Sequence, residues 1–293
     1  DHSKVLRSKM GNAFDGKYHW YRLFMRDFLS ITSVAFFGFY LLKKNFFYFL
    51  IFITSFFVSC FSMTMAIEKG KIVWYLISLF LMYVLIQKNG QFTIKKILGF
   101  GIFVFLILVC SYVFFVEYDI SILRAIMTAL SRILAGQIQP LYHYFEIFPQ
   151  RVDFLWGRSF PNPGGLMPYE PFILTKEVYA IIFPKLIDLG IVGSMPTIFW
   201  GEMYANFGYY GVIFPPFFIG FFLYGLNILL LRFPNTPILL SFYIWIIIHY
   251  LNLASTSLSN FLVDINMLII FFVLVFILAV SNNFKLKFKK KKI

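Results

Sequence analysis

A single polar segment, roughly residues 117–207, interrupts a chain that otherwise consists of phenylalanine-rich apolar runs. Charged side chains in this segment stand among Tyr, Trp, Pro and Gly, whereas the flanking runs carry almost no charge. Hydrophobic residues make up 60% of the chain and charged residues 13%, a composition far from that of a soluble globular domain. The sequence therefore predicts an integral membrane protein whose chemistry lies in the polar segment.

The apolar runs predict the membrane-spanning helices, each of which needs roughly 20 apolar residues. Candidate spans lie near 28–42, 46–67, 72–87, 95–116, 208–231, 237–253 and 260–281. The expected fold is an all-α polytopic helical bundle, in which the short link at 43–45 leaves a tight hairpin or a re-entrant segment open. Its expected parts are an N-terminal segment 1–27, four transmembrane helices in 28–116, a large loop 117–207, three transmembrane helices in 208–281 and a tail 282–293. Because the chain begins at Asp1 and shows no signal peptide, it is expected to be an N-terminally truncated fragment.

The lysines of the tail orient the predicted bundle. The formal net charge is +13, and its lysines cluster at the ends of apolar runs and within 285–292. Membrane-flanking charges have this distribution, and no soluble basic face predicts nucleic-acid binding. A cytoplasmic tail places segments 1–27 and 117–207 on the opposite side of the membrane. His249 and Asp264 then face the side of the large loop, and Asp264 is predicted to line the site.

Residues 121–135 have helical periodicity, with Arg124 and Arg132 on one side and Ile126 and Ile133 largely opposite. The pattern predicts an amphipathic helix at the membrane surface. Its arginines either meet lipid headgroups or face a ligand, and the pattern by itself does not choose between the two.

The run from 142 to 165 alternates aromatic rings with charged side chains, among them His143 and Arg158. Aromatic faces combined with polar groups suit sugar rings, which present apolar faces and directional hydroxyls. The other interpretation is an aromatic belt at the membrane interface. Pro and Gly at 161–165 predict a turn or the tip of a lid.

The string GEMYANFGYYG at 201–211 directly precedes an apolar run. In a helix Glu202 and Asn206 are four residues apart and share a face, which suits them to hold or deprotonate a sugar hydroxyl. Gly208 and Gly211 permit close packing or a bend. The alternative is an ordinary glycine-rich helix entry.

Several chemistries lack their sequence signatures. The chain contains no HExxH, Walker loop, GxSxG or CxxC string, so zinc proteolysis, ATP hydrolysis and serine hydrolysis are not predicted. Glu117 and Asp119 resemble the acidic metal motif of lipid-phosphate glycosyltransferases, but two acids with one spacer arise easily by chance.

Three segments carry a resemblance to a known family: residues 132–137, the Trp-Gly-Arg turn at 156–158, and the GEMYANFGYYG string. Together they resemble bacterial oligosaccharide repeat-unit polymerases of the Wzy, O-antigen polymerase type. The resemblance covers roughly residues 95–281, whereas residues 1–94 match only in being hydrophobic.

The resemblance implies a GT-C-like glycosyltransferase of the bacterial inner membrane, multi-pass, with its large loop and active face in the periplasm. Its substrate would be an undecaprenyl-pyrophosphate-linked oligosaccharide and its product O-antigen, capsule or a similar surface polysaccharide such as that of lipopolysaccharide. Membrane lipid, a Wzz-type chain-length regulator and a flippase are the implied partners. No cofactor and no metal are expected, because pyrophosphate is a good leaving group.

The resemblance also implies residue roles. Loss of the pyrophosphate builds negative charge, so fixed guanidinium groups suit the catalyst. Arg132 is expected to contact the pyrophosphate, with Arg124 and Arg158 in support. Glu202 is the expected base and His143 the second candidate for that role. Further substrate contacts are expected from Gln137, Asn206, Trp156 and Asp264.

The sequence leaves two other functions open. An O-antigen ligase would share the large loop, the arginines and the lipid-pyrophosphate donor, and would differ in its acceptor. A lipid-linked oligosaccharide flippase would need polar residues along its spans, whereas the runs 97–115 and 208–231 carry no charge.

Overall fold

The computed structural model describes residues 18–65, 69–87, 90–91, 93–115, 121–136, 138–188, 193–232, 235–254, 256–258 and 265–283. Within these ranges the chain forms helices joined by turns, with no β-strand. The predicted all-α class is confirmed. Residues 284–293 of the predicted tail and residues 1–17 of the predicted N-terminal segment lie outside the described residues.

Eleven helices are numbered here in chain order. They are α1 (Arg22–Lys43), α2 (Phe46–Met65), α3 (Lys69–Gln87), α4 (Ile94–Phe115), α5 (Ile122–Leu134), α6 (Ile138–Ile147), α7 (Leu174–Ile182), α8 (Pro184–Asp188), α9 (Phe199–Leu231), α10 (Pro237–Leu251) and α11 (Ile265–Asn283). A helical turn, Tyr18–Tyr21, precedes α1, whose first part, Arg22–Phe28, is π-helical.

Five of these helices, α1 to α4 and α9, are long and apolar enough to cross a membrane. Helix α10 and the apolar part of α11, Ile265–Ile277, are shorter. Many large apolar side chains on the long helices are exposed, as on Phe217 and Phe221 of α9, which suits contact with lipid. The chain is therefore a multi-pass membrane protein in contact with membrane lipid.

The start of the first predicted span differs from the structure. Helix α1 begins at Arg22 rather than at residue 28, and it therefore includes the charged residues Arg26 and Asp27. Their side chains are largely buried and lie 3.8 Å apart, Nε to Oδ1, so the helix continues through charges that the apolar pattern excluded. Helix α9 begins at Phe199, but a break at Gly208 separates its first part from the apolar run that was predicted to begin at residue 208.

The chain divides into two compact units. The first contains 1–130, 233–248 and 265–293, and the second contains 131–232 and 249–264. In the first unit, α1 and α2 form a tight hairpin, one of the two alternatives that the sequence left open. Lys44 takes a left-handed conformation at the end of α1, and α2 begins two residues later with the Phe47 N–H bonded to the Asn45 side chain at 2.8 Å.

Two apolar clusters hold the helices of the first unit together. Helices α1, α2, α3 and α10 meet around Val34, Met63 and Met82, where Ser33 and the Tyr75 hydroxyl form a buried hydrogen bond of 2.5 Å. Helices α1, α10 and α11 meet around other buried residues, which are Leu23, Ile31, Leu239, Phe242, Ile270 and Leu274.

Helix α5 is the amphipathic helix that the sequence predicts. Within the first unit, Ala125 and Ala129 are fully buried against Val109 of α4. Ile122 and Met127 are exposed instead. Small residues thus make the contact with α4 because they allow a close approach of the two backbones, and the larger apolar side chains stay uncovered.

The second unit contains residues 131–207 of the polar segment. Its core joins α6, α7 and the first part of α9 with the loop between α6 and α7, through Tyr144, Ile147, Phe148, Leu155, Leu174, Val178, Tyr204 and Ala205. The predicted turn at 161–165 is confirmed, since Pro163–Gly165 form a single 3-10 turn with a left-handed Gly164.

Candidate active site

The candidate site is built on the first part of α9, which ends in a break at Gly208. Gly208 has φ +60° and ψ −142°, a conformation essentially restricted to glycine. A Cβ at Gly211 would come within 2.0 Å of the Met203 carbonyl oxygen, so the chain returns closely on itself after the break. The bend that the two glycines predict is confirmed. The break exposes the last carbonyl groups of the short helical segment, which require new donors.

A loop of the same unit supplies these donors. The Leu155 N–H donates to the Ala205 carbonyl at 3.0 Å, and the Trp156 N–H donates to the Asn206 carbonyl at 3.1 Å. The Gly157 N–H donates to Oδ1 of Asn206 at 2.9 Å. The Trp-Gly-Arg turn and the GEMYANFG string are therefore two halves of one capping structure.

Asn206 is fully buried and connects this cap to Glu202. Because Oδ1 accepts from the Gly157 N–H, the amide nitrogen faces Ser159 and donates to its Oγ at 2.7 Å. The same nitrogen donates to the Glu202 carbonyl at 2.8 Å. Ser159 then donates its own proton to Oε1 of Glu202 at 3.2 Å. This directional chain holds the carboxylate in one position.

Glu202 is 1% exposed and lines a cavity of about 200 Å³ within the second unit. The walls combine the Glu202 carboxyl group, three hydroxyl-bearing residues, aromatic rings and prolines. The lining residues are Ser159, Phe160, Pro161, Pro171, Phe172, Ile173, Leu174, Thr175, Glu202 and Ser257. A carboxylate held by a hydrogen bond at the wall of a small cavity is suited to accept a proton from a bound hydroxyl group.

Tyr144 of α6 packs in the core behind this carboxylate. Its hydroxyl donates to the Met195 carbonyl at 2.9 Å, and the side chain is fully buried. Burial raises the pKa of Tyr144 above its usual value, and the negative charge of Glu202 raises the pKa further. Tyr144 is therefore a neutral hydrogen-bond donor at physiological pH.

The structure brings together four of the residues predicted for the site. Glu202 and Asn206 meet at Ser159, and Trp156 and Arg158 belong to the turn that caps α9. The Trp156 ring packs edge-on against Phe207 with centroids 6.3 Å apart. The Arg158 side chain is exposed, and the Arg158 carbonyl accepts the Phe172 N–H at 2.9 Å.

His143 does not line the cavity among the described residues. It belongs to a surface cluster on α6, where its Nδ1 lies 3.8 Å from Oε2 of Glu146. The other oxygen of Glu146 accepts from Arg151 at 2.7 Å. Of the two predicted bases, Glu202 is the one that lines the cavity within the described part of the chain.

The remaining predicted residues are not placed at this cavity. Arg124 is an exposed residue of α5 in the first unit, where its N–H bonds to Ser121 at 3.3 Å. Arg132 belongs to the same helix, but its side chain lies outside the described residues. Gln137, Asp264 and the acidic pair at 117 and 119 also lie outside them. The roles of these residues remain predictions.

Ser159, Thr175 and Ser257 line the cavity without having been singled out as site residues in the sequence. Single hydroxyl residues carry no spacing signal, and 43 residues separate Ser159 from Glu202. The position of Ser159 directly after the Trp-Gly-Arg turn was the one available clue.

The described residues contain no group of three or more His, Cys, Asp or Glu side chains that could hold a metal ion. The polar groups in the lining of the cavity are one carboxyl group and several hydroxyl groups. No protein-family model, curated protein or solved structure matches this chain.

Proposed function

We propose that this chain is a membrane-bound glycosyltransferase that polymerises undecaprenyl-pyrophosphate-linked oligosaccharide repeat units at the outer face of the bacterial cytoplasmic membrane. The observation that carries the proposal is the buried Glu202 carboxylate, which Ser159 and Asn206 hold at the wall of a small cavity. Glu202 and Asn206 belong to the GEMYANFGYYG string, which resembles the polymerase family. The chain that carries this string is an all-α membrane protein.

The chemical step requires a base and a stabilised leaving group. A hydroxyl oxygen of the acceptor sugar forms the bond to the anomeric carbon of the donor, and the bond from that carbon to the pyrophosphate oxygen breaks. The hydroxyl proton passes to Glu202, and the electron pair leaves with undecaprenyl pyrophosphate. Arginine side chains stabilise the charge that grows on the leaving group, and Arg132 and Arg158 are the proposed contributors.

The test is glycan length in a strain that lacks the full-length gene. The complementing proteins are wild type, Glu202→Gln, Arg132→Ala and the control Glu177→Gln, expressed to equal levels in the membrane. Glu177 is an exposed carboxylate of α7 that does not line the cavity. We expect the null strain to attach a single repeat unit to its acceptor, and the wild type and control to restore a ladder of chain lengths. Glu202→Gln should leave single repeat units, since the base is lost.

Other outcomes contradict parts of the proposal. Long chains that stay on undecaprenyl pyrophosphate in the null strain identify a ligase instead. Repeat units trapped on the cytoplasmic face identify a flippase. A full ladder with both Glu202→Gln and Arg132→Ala removes the assigned site while leaving the membrane function open.

A further inference from the structure

The charge of the cavity limits which sugar it can hold. Glu202 is the one ionisable side chain among the described residues of the lining. Its neighbours there are hydroxyl-bearing, aromatic, proline or aliphatic residues. Since two like charges about 5 Å apart repel strongly at the effective dielectric constant of a protein, a ligand carboxylate or phosphate would bind about a hundredfold more weakly than its neutral counterpart.

The size of the cavity suits one sugar ring, with the rest of the ligand outside it. Its volume of about 200 Å³ lies below the range of roughly 300–1,000 Å³ that is usual for drug-sized ligands. The walls provide hydroxyl groups on Thr175 and Ser257 for directional hydrogen bonds. Phe160 and Phe172 provide apolar surface for the C–H faces of a ring.

On the basis of the proposed function, we propose that this cavity binds the acceptor sugar of the lipid-linked repeat unit and selects an uncharged sugar over a uronic acid. The donor pyrophosphate is excluded from the cavity by the same charge. Glu202 thus has two roles here, as the base for the acceptor hydroxyl and as the group that rejects anionic sugars.

The test measures binding rather than catalysis. Purified full-length protein in detergent is mixed with methyl glycosides, and saturation-transfer NMR detects those that bind. The probes are matched pairs that differ in a hydroxymethyl group or a carboxylate at C6: glucoside and glucuronide, galactoside and galacturonide, mannoside and mannuronide. We expect at least one neutral glycoside to bind the wild type and its uronide partner to bind about a hundredfold more weakly.

Three variants identify the cause of this discrimination. Glu202→Gln keeps the shape of the side chain and should bring the two members of a pair to within about threefold of each other. Glu177→Gln removes an exposed carboxylate of the same unit and should keep the wild-type ratio. Thr175→Val should weaken both members of a pair, because a hydroxyl group is lost from the wall. Size-exclusion profiles of the detergent complexes show that each variant is folded.

Two results overturn the inference. One is a wild-type protein that binds no neutral glycoside of the panel or binds the uronides equally well. The other is discrimination that survives in Glu202→Gln. The proposed function fails separately, in the glycan-ladder experiment. A null strain that still makes a full ladder removes the polymerase, whereas charge-selective binding in the same protein keeps the sugar cavity. A null strain limited to single repeat units, together with binding that does not discriminate by charge, keeps the polymerase and removes the proposed selection.

Discussion

Gly208 separates the helical segment that carries Glu202 from the apolar remainder of α9. Its conformation is one that a residue with a Cβ adopts only under strain, and such a Cβ would also lie 3.0 Å from the Phe154 ring. Changes at this position therefore act on the backbone that positions the carboxylate.

Gly208→Ala should destabilise the protein by about 1–3 kcal/mol, the usual cost of a strained backbone residue. The measurement is the thermal unfolding midpoint of the purified protein in detergent. Gly220→Ala is the matched control, because Gly220 belongs to the same helix and a Cβ there meets nothing within 4 Å. Equal midpoints for the two variants would contradict the proposed strain.

Asn206 is a residue of the cap in this structure, since both ends of its side-chain amide bond to protein groups. Asn206→Ala should lower stability by about 1–3 kcal/mol, because it leaves the Gly157 N–H without its acceptor in a buried position. Asn227→Ala, at an exposed position further along α9, is the control in the same unfolding assay. A stable Asn206→Ala protein that has lost polymer synthesis would instead support the predicted substrate contact.

Tyr144 should give the protein a pH dependence at alkaline pH. Its pKa is raised in the folded state, so the folded protein favours the neutral phenol and loses that stability as pH rises above the usual pKa of about 10. Tyr144→Phe should reduce stability at pH 8 by about 0.5–1.5 kcal/mol through loss of the bond to Met195, and should make the decline above pH 10 shallower.

The control for this variant is Tyr142→Phe, at an exposed tyrosine two residues away on the same helix. Thermal midpoints of the three proteins between pH 8 and pH 11 give the comparison. If Tyr144→Phe follows the wild-type pH curve, Tyr144 is not the group that titrates.

The positions of the membrane-spanning helices are the part of the structure that the sequence predicts best. Apolar runs locate spanning helices because lipid requires every backbone polar group to be bonded within the helix. Each of the predicted runs contains a helix in the structure. The predicted start of α1 lies six residues too late in the chain. Arg26 is buried beside Asp27 through tertiary contacts, which a hydropathy pattern does not register.

The site was predictable only in part for the same reason. Glu202 and Asn206 share a helix face by their spacing, which the sequence shows directly. Their contacts with Ser159 and the 155–157 loop join positions more than forty residues apart, and no local pattern reports such pairs. Gly208 and Gly211 predict a bend from the sequence. The N–H groups of residues 155–157, which cap the helix at that bend, are apparent only in the structure.

Helix α5 offers a test of packing between elements. Ala129→Leu should overpack the contact with α4 and destabilise the protein by about 1–3 kcal/mol, since Ala129 is 1% exposed beside Val109. Ser131→Leu adds the same side chain at an exposed position of this helix and should have little effect. Thermal unfolding in detergent compares the two, and equal effects would contradict the close approach of α5 to α4.

The whole molecule has a predicted orientation in the membrane that chemical labelling can check. In a background with Cys60→Ala and Cys110→Ala, Leu166→Cys should react with a membrane-impermeant maleimide on intact spheroplasts, because the polar segment is predicted to lie outside the cytoplasm. Asn45→Cys, in the α1–α2 link, should react only after the membrane is permeabilised. The reverse pattern would invert the orientation and place the proposed chemistry in the cytoplasm.

The cap at the end of the first part of α9 also sets an order of events during synthesis. The N–H groups of residues 155–157 emerge from the ribosome first, and the acceptor on Asn206 follows 49 residues after Gly157. Until then these donors have no partner from α9, so the polar segment completes its folding only when α9 has been made. A nascent chain that ends before Asn206 should therefore present residues 155–159 to proteases, and a chain long enough for Asn206 to have left the ribosome should protect them.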